Sequence, residues 1–258
     1  MTLTHHLLLF CTKLALGIAA AMALTSSQKV TSGFFRVHLW VVLGLQVLAA
    51  LAAYSTLGSN SSSKALVWLC AATALVAYVG SVIWLYEASA AGRAFLLITV
   101  GLTTVCGIWI ECANSALSPL GRTLLSVDFV SSGLLLGAVT TAMLLGHWYL
   151  NTPTMELAPL RRLLGFLVLA IVLRAIMGAI GASMMIATKS LSYSDITFIS
   201  LRWISGIFAP ALMTKMTWET LKIPNTQSAT GILYAGVILV FVGELVSQLL
   251  GTHWQLPV

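Results

Sequence analysis

Apolar residues fill almost the whole chain in eight stretches, which short polar segments separate. Each stretch has about 20 residues, and at about 1.5 Å per residue it is long enough to cross a hydrocarbon core of roughly 30 Å. A helix satisfies the backbone of such a run internally, as lipid requires. The pattern therefore predicts an all-α integral membrane protein with eight transmembrane helices. The predicted spans are 5–25, 35–57, 65–86, 94–112, 124–148, 160–187, 197–218 and 229–250.

Composition agrees with a single polytopic membrane domain over 1–258. Hydrophobic residues make up 59% of the chain and charged residues 8%, whereas a soluble domain carries about 25% charged residues. Too few charges remain to solvate a surface, so membrane lipids are expected to cover most of it. The connections are too short for a soluble catalytic head. We expect the chain to reside in the inner membrane of a bacterium.

Basic residues at the ends of the spans predict the orientation. Eight crossings place both termini on one face, here called side A, and the opposite face is side B. Side A carries Lys64, Arg122, Lys189 and Arg202, whereas side B carries Lys29, Arg36, Arg93, Arg161, Arg162, Lys215 and Lys222. Cytoplasmic loops have an excess of Lys and Arg, so side B is predicted to be cytoplasmic and both termini non-cytoplasmic. The charges form no basic run, and nucleic acid is not an expected partner.

A faint repeat suggests two halves, 1–120 and 121–258. Leu16-Gly17 recurs as Leu136-Gly137, and the segment 43–49 recurs at 164–170, at offsets of 120 or 121 residues. A genuine duplication would give two four-helix bundles related by a parallel repeat. Chance similarity between apolar segments is the alternative, and the sequence leaves both open.

Ionisable side chains inside the spans are the sharpest sign of chemistry. A charge at the bilayer centre costs roughly 3 kcal/mol on insertion scales, so such groups pair or serve a function. Two acids and three bases lie at related depths, toward side A or near the middle of their spans. They are Lys13, Asp128, Arg174, Arg202 and Glu244, with Glu111 at the side A end of the fourth span as a further candidate. Salt bridges that lock the helices are one interpretation, and a polar pocket or relay for protons, ions or a quinone is the other.

A second candidate cluster lies on side B. His38 begins the second span and His147 ends the fifth, so the predicted topology places both on one face of the membrane. Imidazole pairs ligate haem or a metal, although haem between helices usually needs deeper histidines, and no third ligand is evident. Interfacial anchoring or a local hydrogen bond is the alternative to a cofactor or quinone contact. A quinone is the better cofactor candidate, and any metal is undetermined.

The remaining motifs add little chemistry. The four cysteines, Cys11, Cys70, Cys106 and Cys112, form no CxxC pair and are interpreted as buried small hydrophobic residues. Pro210 removes one backbone hydrogen bond and is expected to kink the seventh span, either to open a pocket or only to shape the packing. Walker, zinc-protease, nucleophile-elbow and dinucleotide motifs do not occur. A catalytic subunit is therefore less expected than a non-catalytic one.

The number of helices and the suggested duplication resemble the eight-helix, two-bundle membrane anchors of polysulfide-reductase-type respiratory complexes. The resemblance includes no shared motif and assigns no functional residue. It implies a membrane subunit of a redox assembly that handles a quinone or protons together with other membrane or redox subunits. A stand-alone transporter or channel for a small solute, and a structural scaffold subunit, are the alternatives.

Overall fold

The computed structural model describes residues 3–56, 61–112, 118–152, 154–188, 192–223 and 225–254, and within these ranges the chain is helical and has no strand. The helices are α1 (Leu3–Leu24), α2 (Ser32–Thr56), α3 (Ser61–Leu85), α4 (Ser89–Cys112), α5 (Pro119–Asn151), α6 (Ala158–Thr188), α7 (Tyr193–Trp203), α8 (Ala209–Thr220) and α9 (Thr226–Trp254). A π-helical segment, Ile204–Phe208, joins α7 to α8.

The predicted fold class is confirmed, because the described ranges contain eight helices long and apolar enough to span a membrane, with α7, the π segment and α8 counted as one. Most helices begin a few residues before the apolar stretch that predicted them. The fifth span shows why: Pro119 starts α5, and the Ser118 hydroxyl accepts a hydrogen bond from the Gly121 N–H at 3.1 Å. Proline suits a first turn, where its missing N–H has no helical partner. Capping therefore sets the start of this helix before its apolar stretch begins.

The helices form two rings of four that lie side by side. In the first ring α1 packs on α2, α2 on α3, α3 on α4, and α4 on α1. In the second ring α5 packs on α6 and α9, while α8 packs on α6 and α9. Helices four spans apart therefore hold corresponding positions in the two rings. This is the arrangement that a duplication would produce, and the duplication itself stays a prediction.

The two rings meet where α1 crosses α5. A Cβ at Gly137 would lie 1.8 Å from the carbonyl carbon of Gly17, and a Cβ at Gly17 would lie 1.8 Å from the carbonyl oxygen of Gly133. The helix backbones therefore touch, as small residues allow in membrane proteins. Gly17 and Gly137 are also the glycines that the sequence repeat pairs, 120 residues apart.

The seventh span departs from regular α-helix just before Pro210, where it contains a π segment. The N–H of Ala209 donates to the carbonyl oxygen of Ile204, five residues earlier. Proline has no N–H to continue the α-helical ladder, and the wider π turn lies directly before it. This turn brings Gly206 against α9, because a Cβ at Gly243 would lie 2.3 Å from the Cα of Gly206.

Replacing Gly137 with alanine is expected to destabilise the protein by roughly 1–3 kcal/mol, the usual cost of overpacking. The matched control is Gly44→Ala, because a Cβ at Gly44 would meet no atom of the described residues within 4 Å. The control should be neutral or slightly stabilising, since alanine favours helix over glycine by about 1 kcal/mol. The folded fraction after heating in detergent, measured by size-exclusion chromatography, checks this. Equal midpoints for the two variants would contradict the close contact.

Candidate functional site

Arg174 is the centre of a buried charge network. Its side chain has no exposed surface, and its Nε donates to Glu244 Oε1 at 2.6 Å while Nη2 donates to Glu244 Oε2 at 3.0 Å. On the other edge of the guanidinium, Nη1 donates to Asp128 Oδ1. One cation from α6 is therefore held between carboxylates of α5 and α9. Paired N–H groups facing both oxygens of a carboxylate make a strong, geometrically specific interaction.

Two hydroxyl groups complete the polar contacts around this pair. Ser132 donates to Glu244 Oε2 at 2.5 Å, and Arg174 Nη2 donates to the Ser247 oxygen at 2.6 Å. Desolvated charges are tolerated only when partners and hydrogen bonds replace water. The hydroxyls of Ser132 and Ser247 supply that replacement on α5 and α9.

The side of the network toward the first ring is looser. Lys13 Nζ lies 3.9 Å from Asp128 Oδ2, and the Lys13 side chain is 3% exposed. Glu111 is partly buried at the end of α4, and its charge interacts with those of Lys13 and Asp128. Glu111 forms no ion pair with any described residue. Glu111 therefore lies at the edge of the network.

Arg202 is buried beside the network with no hydrogen-bond partner in the described part of the chain. The residue is 1% exposed, and its three guanidinium nitrogens find no hydrogen-bond partner among the described residues. A Cβ at Gly178 would lie 2.9 Å from Arg202 Nη2, so the guanidinium lies against the α6 backbone one turn beyond Arg174. The ring of Trp203 is 5.6 Å from Arg202 Cζ. A buried cation without acceptors is costly, so Arg202 needs an acceptor that this part of the protein does not supply.

A second buried side chain at the same depth also lacks partners. Gln248 is 6% exposed, and both its amide nitrogen and oxygen are unpaired in the described ranges. The contact between Gly206 and Gly243 fixes the position of the antiparallel seventh and eighth spans relative to each other along their axes. Arg202 lies four residues before Gly206, so it is level with the residues that follow Gly243 by about one turn. We call Arg202 and Gly178 the Arg202 site, and Gln248 lies near the same level on α9.

The balance of buried charges also indicates the Arg202 site. Among the described residues, three buried bases, Lys13, Arg174 and Arg202, are accompanied by two buried acids, Asp128 and Glu244. Arg202 interacts electrostatically with Arg174, Glu244 and Asp128, whereas Glu111 lies at the opposite edge. The Arg202 site therefore carries an excess of positive charge and of unsatisfied N–H donors.

The structure brings most of the sequence-predicted residues together, although their role stays untested. Asp128, Arg174 and Glu244 are in direct contact, with Lys13 at one edge. Arg202 lies deeper than a helix-end residue, because α7 already begins at Tyr193. It is therefore not a membrane-surface charge of the kind that the orientation rule counts.

Sequence reasoning missed four residues of this region. Each follows a predicted ionisable residue by three or four positions, the spacing at which helical side chains share a face. They are Ser132 after Asp128, Gly178 after Arg174, and Ser247 and Gln248 after Glu244. This helical spacing was the available signal.

The two histidines have different surroundings, and a cofactor or interfacial role for either stays a prediction. His38 is buried, and its Nδ1 lies 2.6 Å from the Phe34 carbonyl oxygen, a local hydrogen bond within α2. His147 is exposed, whereas the ring of the next residue, Trp148, lies 6.2 Å from that of His38. Successive residues of a helix point about 100° apart, so the side chain of His147 points away from His38 while that of Trp148 faces it. Within the described ranges no three His, Cys, Asp or Glu residues are grouped to hold a metal ion.

Comparison with protein-family models, with curated proteins and with solved structures finds no match to this chain. The functional proposal therefore comes from the geometry and charge of the buried residues.

Replacing Glu244 with glutamine is expected to destabilise the protein by about 3–5 kcal/mol, because breaking a buried pair leaves Arg174 partly uncompensated. The control is Glu219→Gln, which removes an exposed ion pair to Lys222 at 2.7 Å and should cost less than about 1 kcal/mol. Denaturant unfolding in detergent, followed by circular dichroism, measures both. A Glu244→Gln protein as stable as Glu219→Gln would contradict the central role of this pair.

Proposed function

We propose that the chain is the membrane-embedded subunit of a larger redox complex, and that the Arg202 site binds the polar head of a quinone. The supporting observation is the buried Arg202 guanidinium, which has no acceptor among the described residues. Buried donors in native proteins are almost always satisfied by protein, water or ligand. The carbonyl oxygens of a quinone are acceptors, and the Gln248 amide offers both a donor and an acceptor at the same depth.

The surface around the site suits an amphiphile with a long hydrocarbon tail. Leu201, Ile204 and Leu245 flank the buried groups in sequence and are exposed on the outside of the second ring. A polar head can therefore bind between α6, α7 and α9 while its tail stays in lipid. Pockets that combine a few convergent polar groups with apolar walls are typical of small-molecule sites.

The neighbouring carboxylates support the proton-handling part of the proposal. Glu244 lies within one turn of Gln248 on α9 and contacts Arg174, whose other edge contacts Asp128. Reduction of a quinone to a quinol takes up two protons, and ionisable groups inside a membrane commonly serve as proton relays. In this proposal partner subunits carry the redox centres, and the chain supplies the quinone head site and the relay.

Purification in mild detergent tests the quinone site. We expect a lipid-soluble quinone to copurify near one molecule per chain and to be largely lost from Arg202→Gln, because that change removes the charge and most of the N–H donors. Arg93→Gln is the control, since Arg93 is exposed near the start of α4. Solvent extraction followed by mass spectrometry measures the quinone.

Gly178→Ala keeps the charge of Arg202 but crowds its guanidinium, so it should also lower the quinone content. Unchanged quinone content in both Arg202→Gln and Gly178→Ala, with both proteins folded, would contradict the quinone site and favour a structural role for the network. The same preparation tests the complex: redox subunits such as cytochromes or iron–sulfur proteins should copurify with the wild-type chain.

A transporter for a small organic anion is the second candidate, and the interrupted seventh span favours it. The π segment and Pro210 lie directly beyond Arg202, and Gly206 touches Gly243 next to the network. π-helical turns are frequent at functional sites, and transporter sites are commonly built where a helix is interrupted near the bilayer midplane.

Reconstitution of the chain alone in liposomes separates the two candidates. The redox-subunit proposal predicts no uptake of labelled carboxylates or phosphates above that of empty liposomes. Uptake that Arg202→Gln abolishes and Arg93→Gln leaves intact would instead establish the transporter.

A further inference from the structure

Two thiols face each other in the middle of the first ring. Cys70 of α3 and Cys106 of α4 are fully buried, and their Sγ atoms lie 3.3 Å apart. A disulfide bond has an S–S distance of about 2.05 Å, so the sulfurs need to approach by only on the order of 1 Å. The two cysteines are 36 residues apart in sequence, and only the packing of α3 on α4 brings them together.

The surroundings of the pair are apolar and select the kind of reagent that can reach it. Leu8, Leu66, Ile110 and Phe129 belong to the same buried cluster. A charged or strongly hydrated reagent loses its hydration on entering such surroundings, so polar thiol reagents are expected to react slowly with the folded protein. A small, uncharged oxidant that dissolves in lipid is not excluded in this way.

We propose that Cys70 and Cys106 are an oxidative modification site that a lipid-soluble hydroperoxide converts to a disulfide. One sulfur attacks the outer peroxide oxygen, the O–O bond breaks, and a sulfenic acid and an alcohol form. The second sulfur attacks the sulfenic sulfur, the S–S bond forms, and the S–O bond breaks to release water. The sulfurs lose two electrons, the peroxide gains them, and the thiol protons leave in the alcohol and the water.

The bond would join α3 to α4 covalently within the first ring. The thiol pair lies between α3 and α4, whereas the ion pairs of Arg174 join helices of the second ring. The proposed disulfide uses no residue of the Arg202 site.

The test uses purified full-length protein in lipid nanodiscs and cumene hydroperoxide as the oxidant. After oxidation the protein is unfolded in dodecyl sulfate, free thiols are alkylated, and the chain is cut after glutamate. Cleavage after Glu87 and Glu111 separates Cys70 from Cys106. We expect a linked pair of peptides that a reductant separates, with two of the four cysteines protected from alkylation.

Variants assign the bond. Cys70→Ser and Cys106→Ser should each abolish the linked peptides, whereas Cys11→Ser and Cys112→Ser should leave them unchanged. The Cys11 variant is needed because Cys11 lies in the same glutamate fragment as Cys70. Full alkylation of all four cysteines after oxidation would overturn the proposal, as would linked peptides that persist in Cys70→Ser or dimers joined between chains.

Discussion

Burial of the Arg174 guanidinium between two carboxylates is the interaction on which the second ring depends. The contacts join α6 to α5 through Asp128 and to α9 through Glu244. In lipid the usual hydrophobic drive to bring helices together is absent, so close packing and polar contacts decide which helices associate. A single cation that binds both neighbours therefore fixes the relative depth of three helices. Around it, serine hydroxyls replace the water that the charges lost.

In the described part of the first ring, only Lys13 and Glu111 extend toward this network. The positions 120 residues before Asp128 and Ser132 are Leu8 and Thr12, and Leu8 belongs to an apolar cluster that also contains Cys70 and Cys106. The rings thus share the arrangement of their helices but differ in chemistry. The junction between the rings, where α1 crosses α5, relies on small residues and van der Waals contact.

The proposed function depends on Arg202, because its described surroundings hold the guanidinium in place but offer it no hydrogen-bond acceptor. Gly178 of α6 leaves room for the guanidinium of Arg202. The π segment that follows Arg202 brings Gly206 against Gly243 of α9. The network next to it is nearly saturated with hydrogen bonds, whereas the donors of Arg202 are unsatisfied within the described ranges. Arg174 of α6 is paired, whereas Arg202 of α7, about one helical turn away, is unpaired within the described ranges. This contrast supports the proposed ligand site over a purely structural role.

The sequence by itself determined the membrane-spanning class, the eight helices and the residues whose charge must be compensated, because length, hydropathy and the cost of burying charge are local properties. It also indicated a departure from regular α-helix near Pro210. Tertiary packing decided the rest. Asp128, Arg174 and Glu244 are far apart in the chain. The packing of α5, α6 and α9 determines which of the available acids contact Arg174. Trp148 rather than His147 faces His38 for the same reason: the rotation of a helix about its axis is set by its neighbours.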